Sequence, residues 1–600
     1  MKKINLLTSL IALVTLVGCN GGTSSSQTPS TSSSEEKPCV VTEDNKVHLI
    51  LLAGQSGGRG KALNSDLSEE EKVPNYDVDI MADGLMMPAL NNIPESIDYD
   101  TALTEVKPGF GDTASEFGPE LGMAQTMASR YPKDGESRKS VIVKYTACGS
   151  TFISDWYTKS LVNSDQYSDA LDYKQARTDD QDNIWGPLTS NFFQLIDWTI
   201  ESLESEGYEV VIDGCAFVHG EQDTKYDENM ALYEAALEYF VKDVRSYVEN
   251  ENLPFVITEA LTNSGKYCKD LKDIQKRVCD KLDNCSLVTN EGLTSNTFEP
   301  WHFGKQSNFE LGNRIAAEII SYNDTRVVKS FEDKTINVPK NATVTLPKYA
   351  VAEFENGYTG YTKVNYTSSY DNTKDGVQEV AFEVSGCQSV KGKLNVNVCD
   401  EVYVDGIMNE YEGRKSIALG DLGNVYVTKG AEGLYVSAKI NDKEIWTDGE
   451  SWHNGDMGQA GTNDDFRVYL TSSDAASRVS IMLSAANLLR VYGDGNVHGN
   501  PLNNWVYKGL IEGYYYRVTT NGLVNDPTND SKGLELELYI PYTTLNVESD
   551  DIKLCFNYND ITKQGDKRIQ TNNYYTASGY SQEADLEKNN ESYISINDLI

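Results

Sequence analysis

The chain has 600 residues, 52 of them Lys or Arg against 91 Asp or Glu, for a formal net charge of −39. That balance argues against a nucleic-acid binder, whose phosphates need cationic partners, and suits neutral or cationic ligands. Hydrophobic residues at 39% and aromatics at 10% suffice for several cored domains, and the acidity, spread along the chain, reads as solvated surface.

The first residues, MKKINLLTSLIALVTLVGCNGG, follow an export logic: Lys2 and Lys3 precede an apolar run, Ile4 to Val17, too short for a comfortable membrane span. Leu16-Val17-Gly18-Cys19 resembles a bacterial lipobox, which implies that residues 1–19 are a lipoprotein signal peptide and that Cys19 carries the lipid. A lipid-modified cysteine would anchor an exported protein at a bacterial membrane without spanning it. No later stretch is long and apolar enough to cross. Residues 20–45, rich in Ser and Thr, read as a flexible linker. Nine further cysteines stand at 39, 148, 215, 268, 279, 285, 387, 399 and 555. Export permits disulfides; Cys387 and Cys399 could bridge neighbouring strands, and Cys268, Cys279 and Cys285 could supply one pair. No CxxC accompanied by histidines appears, which argues against a zinc site.

Residues 46–323 alternate strand and helix. VHLILLAG, SVIVKYTA, VVIDGCAFVH, PFVITEAL and CSLVTN are short apolar or β-branched runs. FGPELGMAQTMASR, LTSNFFQLIDWTIESLES, ENMALYEAALEYFVKDVRSYVE and SNFELGNRIAAEIISY are helical between them. The pattern predicts an α/β domain with parallel strands covered on both faces and a ligand site beyond their carboxyl ends. Residues 61–113, rich in Asp, Asn, Pro and Gly, read as a large excursion over that edge. Residues 325–400 alternate apolar and polar positions, as a small β-sandwich does, and residues 401–600 read as a larger β-sandwich.

The first strand runs into Gly-Gln-Ser-Gly-Gly, Gly54 to Gly58. A sharp strand-to-helix turn there would lift the Ser56 hydroxyl out of the sheet's edge, as a nucleophile needs; a plain Gly-rich turn is the alternative. A serine nucleophile requires a base, a group to orient the base, and donors for the oxyanion. Of five histidines, His48 lies inside the first strand and His453 and His498 in the β-rich tail. His302, between the last strand and the last helix, belongs at the same edge as Ser56, with Glu299 three residues before it to orient the imidazole. His219, in CAFVHGEQDT, is a candidate oxyanion donor together with the amides of Ser56 and Gly118; a rival reading makes it the base, with Asp223 behind it. Ser150, in ACGSTF, is a second hydroxyl without matching blocks, and Trp156 in the following segment is a candidate sugar platform.

Ser56 in GQS, Gly118 in FGPELGMA, the HGEQD block and the Glu-x-x-His block resemble, in their order, the SGNH-hydrolase superfamily. More narrowly they resemble the acetylesterases of carbohydrate esterase family six and the sialate O-acetylesterase-like group. The resemblance implies a flavodoxin-like three-layer fold and removal of acetyl groups from sugar hydroxyls through an acetyl-enzyme. It makes Ser56 the nucleophile, His302 the base and Gly118 the oxyanion glycine; Gln55 and Glu221, beside Ser56 and in the HGEQD block, are candidate substrate-binding residues. Three positions depart from the pattern: Gly57-Gly58 replaces Asn-Met, His219 replaces Gln, and Glu299 replaces Asp. GQSGG also satisfies the Gly-x-Ser-x-Gly of α/β-hydrolases, but there the elbow follows several strands, whereas Ser56 ends the first.

EVYVDGIMNEYEG at the head of the last region resembles the start of family nine-like carbohydrate-binding modules, with Gly413 where a Trp is usual. Trp446, Trp452 and Trp505 are candidate stacking residues there, with core filling as the alternative. The middle β-domain resembles an immunoglobulin-like spacer. The expected partner is an acetylated polysaccharide or oligosaccharide of plant or algal origin, with no nucleic acid, cofactor or metal, on a cell-surface lipoprotein of a polysaccharide-degrading bacterium. The rival functions are a surface glycan-binding lipoprotein with a degenerate esterase domain, and an esterase for another acyl group or a lipid.

Overall fold

The computed structural model describes residues 46–72, 77–133, 138–260, 268–293, 302–323, 328–340 and 344–399. Beyond these it describes residues 402, 404, 408–411, 413–430, 432–447, 463–472, 478–485, 488–494, 505–507, 514–522, 524–526, 528, 531–544, 551–564, 567–582 and 590–599. Among the described residues no helix is long and apolar enough to cross a membrane.

The N-terminal half of the chain contains an α/β domain around a seven-stranded sheet. Its strands are β1 (Lys46–Gly54), β2 (Asp79–Leu85), β3 (Thr104–Glu105), β4 (Ser140–Ala147), β5 (Glu209–Val218), β6 (Phe255–Thr258) and β7 (Cys285–Val288), in the order β7-β6-β5-β1-β4-β2-β3. All neighbours are parallel except β2 and β3. The helices named below are α1 (Ser56–Arg59), α2 (Glu120–Arg130), α3 (Pro187–Ser205), α4 (Asp227–Tyr247), α5 (Cys268–Lys281) and α6 (Lys305–Ile320).

The reason β1 reads as an unbroken apolar run is that both of its faces are covered. Val47, Leu49, Leu51 and Ala53 join one core with α3, α4 and α5, supplied by Phe192, Leu237, Phe240 and Leu271. Ile50 and Leu52 point the other way, into a second core with Leu121 and Met123 of α2 and Ile315 and Ile319 of α6. Each fully buried side chain of this kind contributes about 1.5–3 kcal/mol of transfer free energy, so sheet and helices are locked in one register. The five strands expected from the sequence all enter this sheet. The 61–113 excursion does more than cross the edge, because it also supplies β2, paired along its whole length with β4. Its sequence, DIMADGL, has no strand-like alternation; pairing with a buried neighbour decided its conformation. Helix α5 was not among the expected helices, although Leu271, Ile274 and Val278 recur in it at i, i+3 and i+7 and enter the same core.

The chain runs from β1 outward to β2, returns to β4 beside β1, then crosses to β5 on the other side. The strand order therefore reverses around β1, and the crevice at the carboxyl end of such a switch point is where open parallel sheets hold ligands. Ser56 follows β1 at that place.

The rest of the chain is a large β-rich region. Six strands between Val328 and Cys399 form one sheet. It is seated on the α/β domain rather than spaced away from it: Tyr349 Oη donates to Glu318 at 2.9 Å, Lys363 pairs with the same carboxylate, Tyr361 Oη donates to Glu310, and Asn356 Nδ2 donates to the Ser129 carbonyl at 3.1 Å. Beyond residue 417 a five-stranded and an eight-stranded sheet share one apolar core that includes Val436, Leu538, Val468 and Phe556. This region also reaches back. Arg517, on the strand Tyr515–Gly522, donates to the Asn290 carbonyl (3.1 Å), the Leu293 carbonyl (3.4 Å) and Asn290 Oδ1 (2.7 Å), in the turn that follows β7.

Candidate active site

The elbow after β1 exists because glycine lets two strand ends touch. Gly54 has φ +136°, and a Cβ there would lie 2.1 Å from the Val218 carbonyl oxygen at the end of β5. The next amide, Gln55 N, donates to that same oxygen at 2.9 Å. Ser56 then opens the helical turn α1 with its side chain half-buried, and Gly57 and Gly58 are buried behind it. A Cβ on Gly58 would stand 3.2 Å from Val218 Cβ and 3.3 Å from Thr146 Cγ2. The turn is thus pressed into the notch between the ends of β5 and β4, which accounts for two glycines where the family pattern has larger side chains. Gly60 closes it at φ +90°, with room for a Cβ denied by Gly118 Cα at 2.0 Å.

Gln55 is 2% exposed, and it is a strut between blocks. Its side-chain amide donates to Glu221 and its carbonyl accepts from Gly220 N at 3.3 Å. The GQS and HGEQD segments, 165 residues apart, are therefore joined directly at the carboxyl edge.

His302 is 7% exposed and stands two residues before Gly304, the N-cap of α6. Its neighbour Phe303 brings a ring carbon to 3.9 Å from where a Cβ on Gly57 would be, and Glu221 Oε1 lies 3.8 Å from the same point. The segments carrying Ser56, Glu221 and His302 meet in van der Waals range. Glu299 lies outside the described residues.

The two other oxyanion candidates are turned inward. The Gly118 amide donates to Glu120 Oε1 at 2.8 Å. Its place in the fold is close packing, since a Cβ there would be 2.5 Å from the Arg59 carbonyl oxygen. The His219 ring is enclosed: it stacks on Phe217 with centroids 4.8 Å apart, lies 4.9 Å from Phe152, and has Nδ1 3.4 Å from Tyr233 Oη. Burial lowers its pKa to about 3, against a smaller opposite effect of the Ser150 carbonyl. Its Nε2 is 3.8 Å from Asp223 Oδ2, beyond hydrogen-bond range. A neutral, weakly basic ring without a hydrogen-bonded acid does not serve as a general base, so the His219–Asp223 alternative falls. Asp223 instead accepts from the Phe152 amide (3.1 Å) and Asn229 (3.2 Å). Ser150 is fully buried, donates to the Ala147 carbonyl and accepts from Trp156 Nε1 at 2.8 Å, so it has no nucleophile's exposure.

Two sugar-platform expectations are corrected. Trp156 is 0% exposed, edge-on to Phe217 at 5.5 Å and Phe240 at 5.9 Å; no ring face is left for a pyranose. Trp446 is 2% exposed, donates from Nε1 to Glu444 at 2.9 Å, and has Lys563 and Arg568 each 5.1 Å from its ring centroid. Both fill cores, which is where large aromatics gain most. Trp505 opens the short strand Trp505–Tyr507, with its side chain outside the described residues, as are Trp452 and Cys19.

Sequence reasoning passed over one feature of the site, a buried ion pair at 2.6 Å between Lys144 of β4 and Glu120 of α2. The signal was present: a lysine within the apolar run SVIVKYTA must find a partner if that strand is buried. Among the described residues, one carboxylate group has the spacing of a cation site: Asp442, Asp464 and Asp560, with oxygens within 4.8 Å of one another in the C-terminal region. Each of the first two already accepts hydrogen bonds, Asp442 from Tyr558 Oη and Asp464 from the Ile561 amide.

Residues 46–321 match the family model described as carbohydrate esterase, sialic acid-specific acetylesterase. Comparison with curated proteins finds no match. Similar solved structures include a protein from Arabidopsis thaliana, 15% identical, covering 46% of this chain and 98% of that one with a TM-score of 0.32. Another is a carbohydrate acetylesterase from Xanthomonas citri, 12% identical over 66% of this chain and 75% of that one, TM-score 0.33. A family 9 carbohydrate-binding module from Caldicellulosiruptor kristjanssonii, in complex with glucose, is 10% identical over 32% of this chain and 89% of that one, TM-score 0.21. Residues 46–321, a little under half of the chain, are thus similar to a carbohydrate-esterase domain, and the protein is an ester hydrolase.

Proposed function

We propose that the protein is a serine carbohydrate O-acetylesterase that removes acetyl groups from a plant or algal polysaccharide or its oligosaccharides. The observation that carries this reading is the meeting of the Ser56 and His302 segments at the carboxyl end of β1, inside the region that matches the carbohydrate-esterase family. His302 takes the Ser56 proton as the hydroxyl oxygen attacks the acetyl carbonyl, and Glu299 orients and charge-stabilises the imidazole. The first amides of a helix have no intrahelical acceptor, so those of Ser56 and Gly57 are suited to hold the oxyanion. Gly118 and His219, engaged inward, support the elbow and the end of β5 instead. The sugar hydroxyl leaves with the proton from His302, and water, deprotonated by the same ring, hydrolyses the acetyl-serine. Gln55 and Glu221 tie the nucleophile's turn to the cleft wall, where Glu221 remains half-exposed to a sugar hydroxyl.

Around this centre we assign residues 1–19 to a lipoprotein signal peptide with lipid at Cys19, 20–45 to a tether, 325–400 to an immunoglobulin-like domain and 401–600 to a family nine-like carbohydrate-binding module. The chain would sit at the cell surface, where a binding module beside an esterase raises local substrate concentration. The test is hydrolysis of p-nitrophenyl acetate by the full chain and by Ser56→Ala. Loss of the nucleophile is expected to lower kcat on the order of 10⁴–10⁶-fold. Hydrolysis that survives in Ser56→Ala, or is absent from the wild type, refutes the reading. Acetate release from acetylated xylan, pectin and O-acetylated sialic acid then ranks the substrates.

A further inference from the structure

Lys144 is 1% exposed and Glu120 0%. A buried ion pair is a poor source of stability, because removing two charges from water costs about what their attraction returns. The other bonds of this pair indicate what it does. Lys144 Nζ donates to the Arg59 carbonyl at 2.8 Å, to the Phe110 carbonyl at 2.8 Å and to Glu120 Oε2 at 2.6 Å. The three donors of an ammonium thus reach three acceptors, which no neutral side chain of that length can do. Glu120 Oε1 in turn takes the Gly118 amide at 2.8 Å. Arg59 is the last residue of α1, three after Ser56, and its carbonyl is one that a helical turn leaves without an internal donor. Phe110 and Gly118 belong to the loop leading into α2, and Glu120 is that helix's first residue. A strand, a loop, a helix start and the far end of the nucleophile's turn are gathered on one charge pair.

We propose that Lys144 is a positioning residue for Ser56: with Glu120 as its counter-charge, it pins the Arg59 end of α1 to β4 and to the 110–118 loop, and so sets the aim of the hydroxyl. This rests on the assignment of Ser56 above. Only a side chain with three donors suits the place, so the costly pair is kept for orientation.

The test uses the full-length chain, with Lys144→Met and the double variant Lys144→Met/Glu120→Gln. The single variant strands a buried carboxylate and is the one at risk of unfolding. The double variant removes both charges, keeps similar shapes, and leaves the oxygen of the introduced carboxamide able to accept from the Gly118 amide. Three readouts are taken: thermal unfolding, p-nitrophenyl acetate kinetics, and hydrogen exchange at the Gly60 amide, which donates to the Ser56 carbonyl. The double variant is expected to melt near the wild type while kcat falls about 100-fold at unchanged KM, the size of effect an ångström of misplacement produces, and the Gly60 amide exchanges faster. A double variant that melts like the wild type and keeps both wild-type kcat and wild-type exchange overturns the proposal. If the wild type shows no Ser56-dependent hydrolysis, the esterase assignment fails by itself. The Gly60 exchange then decides the anchoring role separately: faster exchange in the double variant upholds the anchor, and unchanged exchange removes it.

Discussion

Replacing His219 with Gln asks what the closed aromatic box around that ring does to the protein. Burial drives the imidazole pKa from 6.5 down to about 3, because a charged ring there would leave water without a carboxylate in hydrogen-bond reach. In the unfolded chain the ring titrates near 6.5, so between 6.5 and about 3 the unfolded state binds a proton that the native state refuses. The corresponding stability is whole above pH 6.5 and is lost progressively as pH falls toward 3. At about pH 4.5, roughly two units below the unfolded value, the loss is about 3 kcal/mol, taking about 1.4 kcal/mol per unit. Asp155 works in the opposite sense. Burial raises its pKa to about 6, so its native carboxyl gains a proton first and adds stability as pH falls from about 6 toward 3.8. Comparing His219→Gln with the wild type cancels that shared contribution. The assay is urea unfolding of both proteins at about pH 7 and about pH 4.5. Between the two pH values the stability difference should move by about 3 kcal/mol in favour of the Gln variant. Parallel behaviour would mean that the native imidazole protonates freely, in an open polar site, and would refute the enclosed geometry.

Trp156→Ala should lower stability by about 3–5 kcal/mol, as expected for emptying a packed aromatic core, read as a fall in the urea midpoint; unchanged stability with a raised KM for oligosaccharide would instead restore the sugar-platform role. Arg517→Ala removes three hydrogen bonds to the turn after β7, so the Leu293 amide should exchange faster, and Arg517→Lys should not restore it because an ammonium lacks the planar fork. Cys279 and Cys285 have reduced sulfurs 3.5 Å apart, at the end of α5 and the start of β7. Oxidised glutathione should convert them to an intramolecular disulfide, the two electrons and two protons passing to glutathione, with the protein's mass lower by two hydrogens. An unchanged intact mass would refute it. Gly118→Ala should lower kcat about 100-fold, because its Cβ would displace the Arg59 carbonyl and with it the elbow; wild-type turnover would show that the close contact is dispensable.

The sequence by itself determined the alternation of buried strands and amphipathic helices from Val47 to Ile320, because continuous apolar runs and helical periodicity are local properties. It also placed Ser56, the HGEQD block and His302 at one edge, since each follows a strand or precedes the last helix. It did not determine where side chains of ambiguous character turn. Trp156, Trp446 and His219 suit a cleft or a core equally well by residue type, and only the neighbours brought from distant segments, Phe217, Phe240, Lys563 and Tyr233, decided for the core. Strand β2 and the seating of the 328–399 sheet on α2 and α6 were likewise decided by tertiary partners. So was the Lys144–Glu120 pair: a charge in an apolar strand announces that a partner exists, but desolvation and geometry in the folded chain choose which one.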